Sequence, residues 1–85
     1  PWEDRLRQGC RERWGEPIAR DAMAVGDIAI FRWEKGQPSH IGIIGDHPDG
    51  GFSLIHAHNL RGVVECSLAG KYADCLVEVF RPRFA

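Results

Sequence analysis

The sequence has no apolar run near the roughly 20 residues that a membrane-spanning helix needs, so no membrane partner is expected. It also lacks a charge bias. The formal net charge over 85 residues is −1, which argues against a non-specific nucleic-acid binder, whose electrostatic footprint is a basic patch. Cysteine is sparse. Cys10, Cys66 and Cys75 are odd in number and widely spaced, which does not make a disulfide framework and points to a reducing compartment. The N-terminal stretch is charged and amphipathic, so no signal peptide is read there and synthesis in the cytoplasm is expected. Internal repeats and low-complexity tracts are absent as well. What remains, 44% hydrophobic and 27% charged residues, is the composition of an ordinary globular protein. The length predicts a single domain over 1–85, or part of a larger one.

The stretch that organises the chain is His40-Ile41-Gly42-Ile43-Ile44-Gly45, with an echo at Leu54-Ile55-His56-Ala57-His58. Each is a short apolar run that reads as a strand and carries histidine. The turn formers Asp46-His47-Pro48-Asp49-Gly50-Gly51 lie between them, so the two runs are predicted to form an antiparallel hairpin. Side chains alternate along a strand. His40, Gly42 and Ile44 then share one face, and so do Phe52, Leu54, His56 and His58. On neighbouring strands His40 and His56 are expected to converge in one pocket. Gly42, beside His40, is expected to leave space for something to approach the imidazole.

Around this hairpin the chain reads as one helix and about five short strands. Trp2, Leu6, Cys10 and Trp14 recur every four residues and predict a helix over 2–15 with a narrow apolar stripe. Glu3, Arg7 and Glu12 lie off the stripe and leave the other face charged and wet. Gly15 and Pro17 stop the helix. A linker, Ile18 to Val25, leads to a turn at Gly26-Asp27 and a strand from Asp27 to Trp33. The polar residues 34–38 turn the chain into the histidine hairpin. Asn59-Leu60-Arg61-Gly62 is a further turn, and Val63-Val64-Glu65 a short fourth strand. Ser67 to Asp74 is a connection with room for one helical turn. Cys75 to Arg81 is the last strand, ended by Pro82. Short connections predict an α+β domain whose sheet, over 24–82, is an antiparallel meander.

Of the four histidines, His47 sits in a turn and is expected to be exposed. His40 and His56 lie in apolar strands, where an imidazole needs a partner or a function. One alone reads as a core histidine satisfied by a backbone carbonyl. Two on adjacent strands suggest a general base with a second ring that fixes its tautomer.

Gly26-Asp27-Ile28-Ala29-Ile30-Phe31, Ser39-His40-Ile41-Gly42-Ile43-Ile44, Leu54-Ile55-His56-Ala57 and Gly62-Val63-Val64-Glu65 follow in order, and Arg81 stands near the end of the closing strand. This ordered set resembles the C-terminal half of the NlpC-type cell-wall peptidases, a branch of the papain-like cysteine peptidases. Phe31-Arg32-Trp33 and the lead-in Trp14-Gly15-Glu16-Pro17 resemble the versions found in tail-tip modules of phages and gene transfer agents. The resemblance implies hydrolysis of peptidoglycan stem peptides, with His40 as catalytic base and His56 as the orienting residue. It implies no cofactor, possible contacts with other phage-tail proteins, and action at a virion tail tip or the cell envelope. The family's nucleophile, in an Asp-Cys-small-Gly motif at a helix start, has no counterpart before Gly26. Cys10 falls on the helix stripe, which favours packing, and too little chain follows Asp74-Cys75 for a nucleophile helix. The nucleophilic cysteine is therefore expected to lie outside these residues, and the 85 residues alone to be inactive.

Two other classes stay open. His56-x-His58 with Glu65 is similar to the ligand set of a small metal-binding β domain of cupin type, although the spacing departs from that pattern. A peptidase-like fold without its cysteine can also be a structural component of a phage-tail assembly, offering Trp2, Trp14, Trp33 and Phe84 for contacts. If the nucleophile's helix is missing, an apolar patch is expected around Ile44, Phe52 and Leu54, either exposed or filled by a partner chain.

Overall fold

The chain starts with a helix because its apolar residues fall four apart and its stop signal is a glycine. The computed structural model describes residues 2–32 and 40–83. Helix α1 spans Trp2–Trp14. It ends at Gly15, whose φ of +88° continues the chain at no steric cost while its N–H bonds the carbonyl of Arg11. Expectations placed on the side chains of Trp2 and Glu3, on Trp33, on the turn at 34–38, on Ser39 and on Phe84 fall outside the described residues.

Among the described residues five strands follow: β1 (Ile28–Phe31), β2 (His40–Asp46), β3 (Phe52–His58), β4 (Gly62–Ser67) and β5 (Leu76–Phe80), with the one-turn helix α2 (Lys71–Asp74) before the last. They form one antiparallel sheet in the order β4-β3-β2-β1-β5. The α+β class and the β2–β3 hairpin are as the sequence predicts. The simple meander is not. β5 crosses back to pair with β1 instead of continuing beyond β4. The reason is the apolar content of the connection: Leu68, Tyr72 and Cys75 pack on the core as they carry the chain across one face of the sheet. Cys75 closes α2 and lies outside β5, and β4 runs on past Glu65 to Ser67.

The register sorts the side chains into two faces. Ala29, Phe31, Ile44 and Leu54 form the buried cluster of the face that bears the histidines, with Met23, Leu68, Tyr72 and Leu76 packed over it. Ile30 and Phe80 form the cluster of the opposite face, covered by Cys10, Leu6 and Trp14 of α1. Burying each large apolar side chain contributes about 1.5–3 kcal/mol. Helix α1 thus lies across the sheet from the histidines. Its polar side is not all wet: Arg7 pairs with Glu78 of β5, and Arg11 Nη2 reaches the same carboxylate at 3.2 Å.

The expected exposed patch is not where the sequence suggested. Ile44 and Leu54 are buried under the chain's own crossover. Ile41, Ile43, Val63 and Val77 are exposed apolar residues of the sheet; Ile41 and Ile43 lie on the opposite face, where α1 covers β1 and β5. Trp14 is half-buried against that core, so it is a packing residue. Among the described residues no helix is long and apolar enough to cross a membrane.

Asp27 ties the sheet's two ends of chain together. It is 2% exposed, and its Oδ2 accepts the Ala24 N–H at 2.8 Å, closing the turn at Val25-Gly26. Arg81, just past β5, donates to both carboxylate oxygens at 3.1 and 3.0 Å and to the Ala22 carbonyl at 2.8 Å. A planar guanidinium meets a carboxylate in this two-bond way with both strength and fixed orientation.

Candidate functional site

β2 and β3 are neighbours because the turn between them can close tightly. Gly50 and Gly51 take φ of +103° and +73°, and the His47 N–H bonds the Gly51 carbonyl at 3.1 Å. The register Ile43↔Ile55 and Ile44↔Leu54 that follows places His40 diagonal to His56 on one face. His40 Nε2 and His56 Nδ1 stand 2.7 Å apart, a hydrogen bond between two imidazoles. The rings meet edge to face, centroids 4.9 Å apart and planes at 87°.

The pair sits in an apolar setting. His56 is 6% exposed, and the ring of Tyr72, from α2, lies edge-on to it at 5.6 Å. Gly42 leaves no free space. A Cβ there would run into Leu54 Cδ1 and stand 3.0 Å from the Ile55 carbonyl oxygen and 3.4 Å from His56 Cβ. The glycine is needed because Leu54 already fills the volume; the approach space expected there does not exist.

Burial also sets the charge of the pair. Desolvation, and then the neighbouring His56, lower the pKa of His40. Desolvation, and then His58, lower that of His56. Both rings are therefore neutral at pH 7, the form in which an imidazole can accept a proton. The same shifts predict a pH dependence of folding. Below about pH 6.5 the unfolded chain takes up protons that the folded pair resists, so stability falls with falling pH in that window and is complete above it. Urea melts should show a decline just below pH 6.5 that is shallower in His40→Gln; a wild-type chain gaining stability there would contradict the shifts.

The other sequence-derived candidates are placed elsewhere. His47 is half-buried, where exposure was expected; its Nδ1 accepts the Asp49 N–H at 3.1 Å and serves the turn. His58 does likewise for Leu60 at 3.2 Å. Glu65 pairs in register with Ile55 and lies across the sheet from His56, where it accepts the Ser53 hydroxyl at 2.5 Å. Among the described residues no group of three His, Cys, Asp or Glu side chains is placed to hold a metal ion. Cys10 is buried under α1 on the face opposite the histidines, its thiol pKa raised by desolvation and by Glu78. That raises the cost of a thiolate.

Two neighbours of the pair were missed by the sequence reading. Cys66 Sγ lies 3.6 Å from His56 Nε2 and 3.8 Å from the Leu54 carbonyl oxygen. Tyr72 contacts both His56 and Cys66; its phenol pKa is raised by burial, then by Cys66. The signal for Cys66 was present in the β3–β4 hairpin. Closing it at His58↔Gly62 sets Cys66 opposite Leu54, on the histidine face. Ending β4 at Glu65 hid this.

No protein-family model matches the chain, and no curated protein matches it significantly.

Proposed function

We propose that this chain is the sheet-bearing part of a papain-like cysteine peptidase of NlpC type that hydrolyses the peptide stems of peptidoglycan. The observation that carries the proposal is the 2.7 Å contact between His40 Nε2 and His56 Nδ1 on adjacent strands of an apolar face. Acyl transfer to water through a thioester needs a base that takes the thiol proton and returns it to the leaving amine. His40 has that role, and His56 holds its ring and tautomer. The nucleophile is a cysteine outside the 85 residues. Cys10 is across the sheet. Cys75 closes α2 with β5 directly after it, so no helix starts there. No cofactor takes part. The setting is a virion tail tip or the cell envelope, with other tail proteins as partners.

A second reading, an inactive peptidase-like component of a tail assembly, is favoured by the 40% and 46% exposure of Ile41 and Ile43 on the face away from the histidines. Purified peptidoglycan incubated with the full-length protein separates the two. Released peptide fragments, detected by mass spectrometry and abolished by prior alkylation of thiols, are expected. Intact peptidoglycan, or release indifferent to alkylation, would overturn the peptidase reading.

A further inference from the structure

The pair of rings does not end at His56. Its second nitrogen, Nε2, meets Cys66 Sγ at 3.6 Å, and that sulfur meets the Leu54 carbonyl oxygen at 3.8 Å. Together with the 2.7 Å contact between the histidines, this makes a chain of four groups: His40, His56, Cys66 and the backbone of Leu54. Cys66 is a free thiol, half-buried, on a strand in direct register with β3.

The chain has a direction, set by its last member. A carbonyl oxygen only accepts, and a thiol has one hydrogen, so the contact with Leu54 uses that hydrogen. The sulfur then has only lone pairs to offer His56, and Nε2 of His56 carries a proton. A neutral imidazole carries one N–H, so Nδ1 of His56 is an acceptor and takes the N–H of His40 Nε2. The remaining nitrogen of His40, Nδ1, holds a lone pair. We propose that Cys66 is a positioning residue that fixes both His40 and His56 as Nε2–H tautomers and so makes Nδ1 of His40 the basic nitrogen. Run the other way, with Cys66 donating to His56, the chain would leave the His40 proton on Nδ1 and the Leu54 contact unused.

The proton balance suits a base. When Nδ1 of His40 gains a proton, its Nε2–H still donates to His56, and nothing moves along the chain. The catalytic meaning of this rests on the reading of His40 as base; the tautomers themselves do not.

The experiment is nitrogen-15 NMR of the histidine rings in the full-length protein, above pH 7, without substrate. Protonated and unprotonated ring nitrogens resonate far apart, so each tautomer is read directly. His40 and His56 are both expected as Nε2–H. Cys66→Val keeps similar bulk but removes the acceptor, and is expected to move His56 toward the Nδ1–H form, with His40 following. Cys66→Ser retains donor and acceptor and is expected to retain the tautomers. In hydrolysis, Cys66→Val is expected to lower kcat by about 10–100-fold with KM little changed, the size of loss seen when the partner orienting a metal-bound histidine is removed, and Cys66→Ser to recover most of it. Either wild-type ring protonated at Nδ1 overturns the proposal, and that spectrum decides even if Cys66→Val does not fold. Unchanged tautomers in a folded Cys66→Val also overturn it. A protein that hydrolyses peptidoglycan with the wrong tautomers sinks only the role of Cys66. One with the expected tautomers and no hydrolysis sinks only the peptidase reading.

Discussion

His40→Ala is expected to lower kcat/KM for peptidoglycan stem peptides by about 100- to 10,000-fold in the full-length protein, the range lost with a general base. The physical reason is local. A thiol with an ordinary pKa is mostly protonated at pH 7, and in the proposed mechanism His40 takes that proton; the ring is neutral, half-buried and in contact with His56 through Nε2. The variant should keep its fold. It removes no side chain from the buried clusters, and leaving one nitrogen of His56 unpaired costs about 1–3 kcal/mol. Circular dichroism and a thermal melt would separate that cost from the catalytic one. Activity within about twofold of wild type, in a folded variant, would remove His40 from the mechanism.

The largest expected effect on stability is at Asp27. Asp27→Ala deletes three charge-assisted hydrogen bonds at once, two from Arg81 and one from the Ala24 N–H. Arg81 is half-exposed and can turn to water; the turn before β1 and the segment after β5 lose their shared anchor. A loss of about 2–4 kcal/mol is expected. That is large for a small domain, whose whole stability is of order 5–15 kcal/mol, and corresponds to about 10–25 °C in Tm. Asp27→Asn keeps the shape and one acceptor, so about half that loss is expected. Urea denaturation is the measurement, and a change under about 0.5 kcal/mol in Asp27→Ala would mean that the anchor carries no weight.

The histidine pair was legible because it follows from two local rules. Turn formers at Asp46–Gly51 close a hairpin, and strand alternation puts His40 and His56 on one face. The helix was legible from Leu6, Cys10 and Trp14. What local rules do not carry is where a distant segment packs. β5 returns to β1 because the crossover through Leu68 and Tyr72 has a core to bury, and nothing in the spacing of those residues says which face they cover. The same ignorance misplaced the apolar patch, and it put α1 on no particular side of the sheet. Gly42 was read as open space because the sequence does not say that Leu54 leans into it. Cys66 was lost to a strand boundary set two residues short. Asp27 and Arg81 stood in the sequence as parts of a resemblance; their pairing supplies the physical reason for both.

The most direct test of the central claim, that His40 and His56 act as one acid–base unit, is a double-mutant cycle on peptidoglycan hydrolysis by the full-length protein. In the proposed mechanism His56 acts only through the ring of His40. His56→Ala alone is therefore expected to cost a large share of the activity lost in His40→Ala, and to cost nothing further when His40 is already alanine. Additive losses, with His56→Ala as damaging in the His40→Ala background as in wild type, would mean that the two rings work separately and that their contact is packing alone.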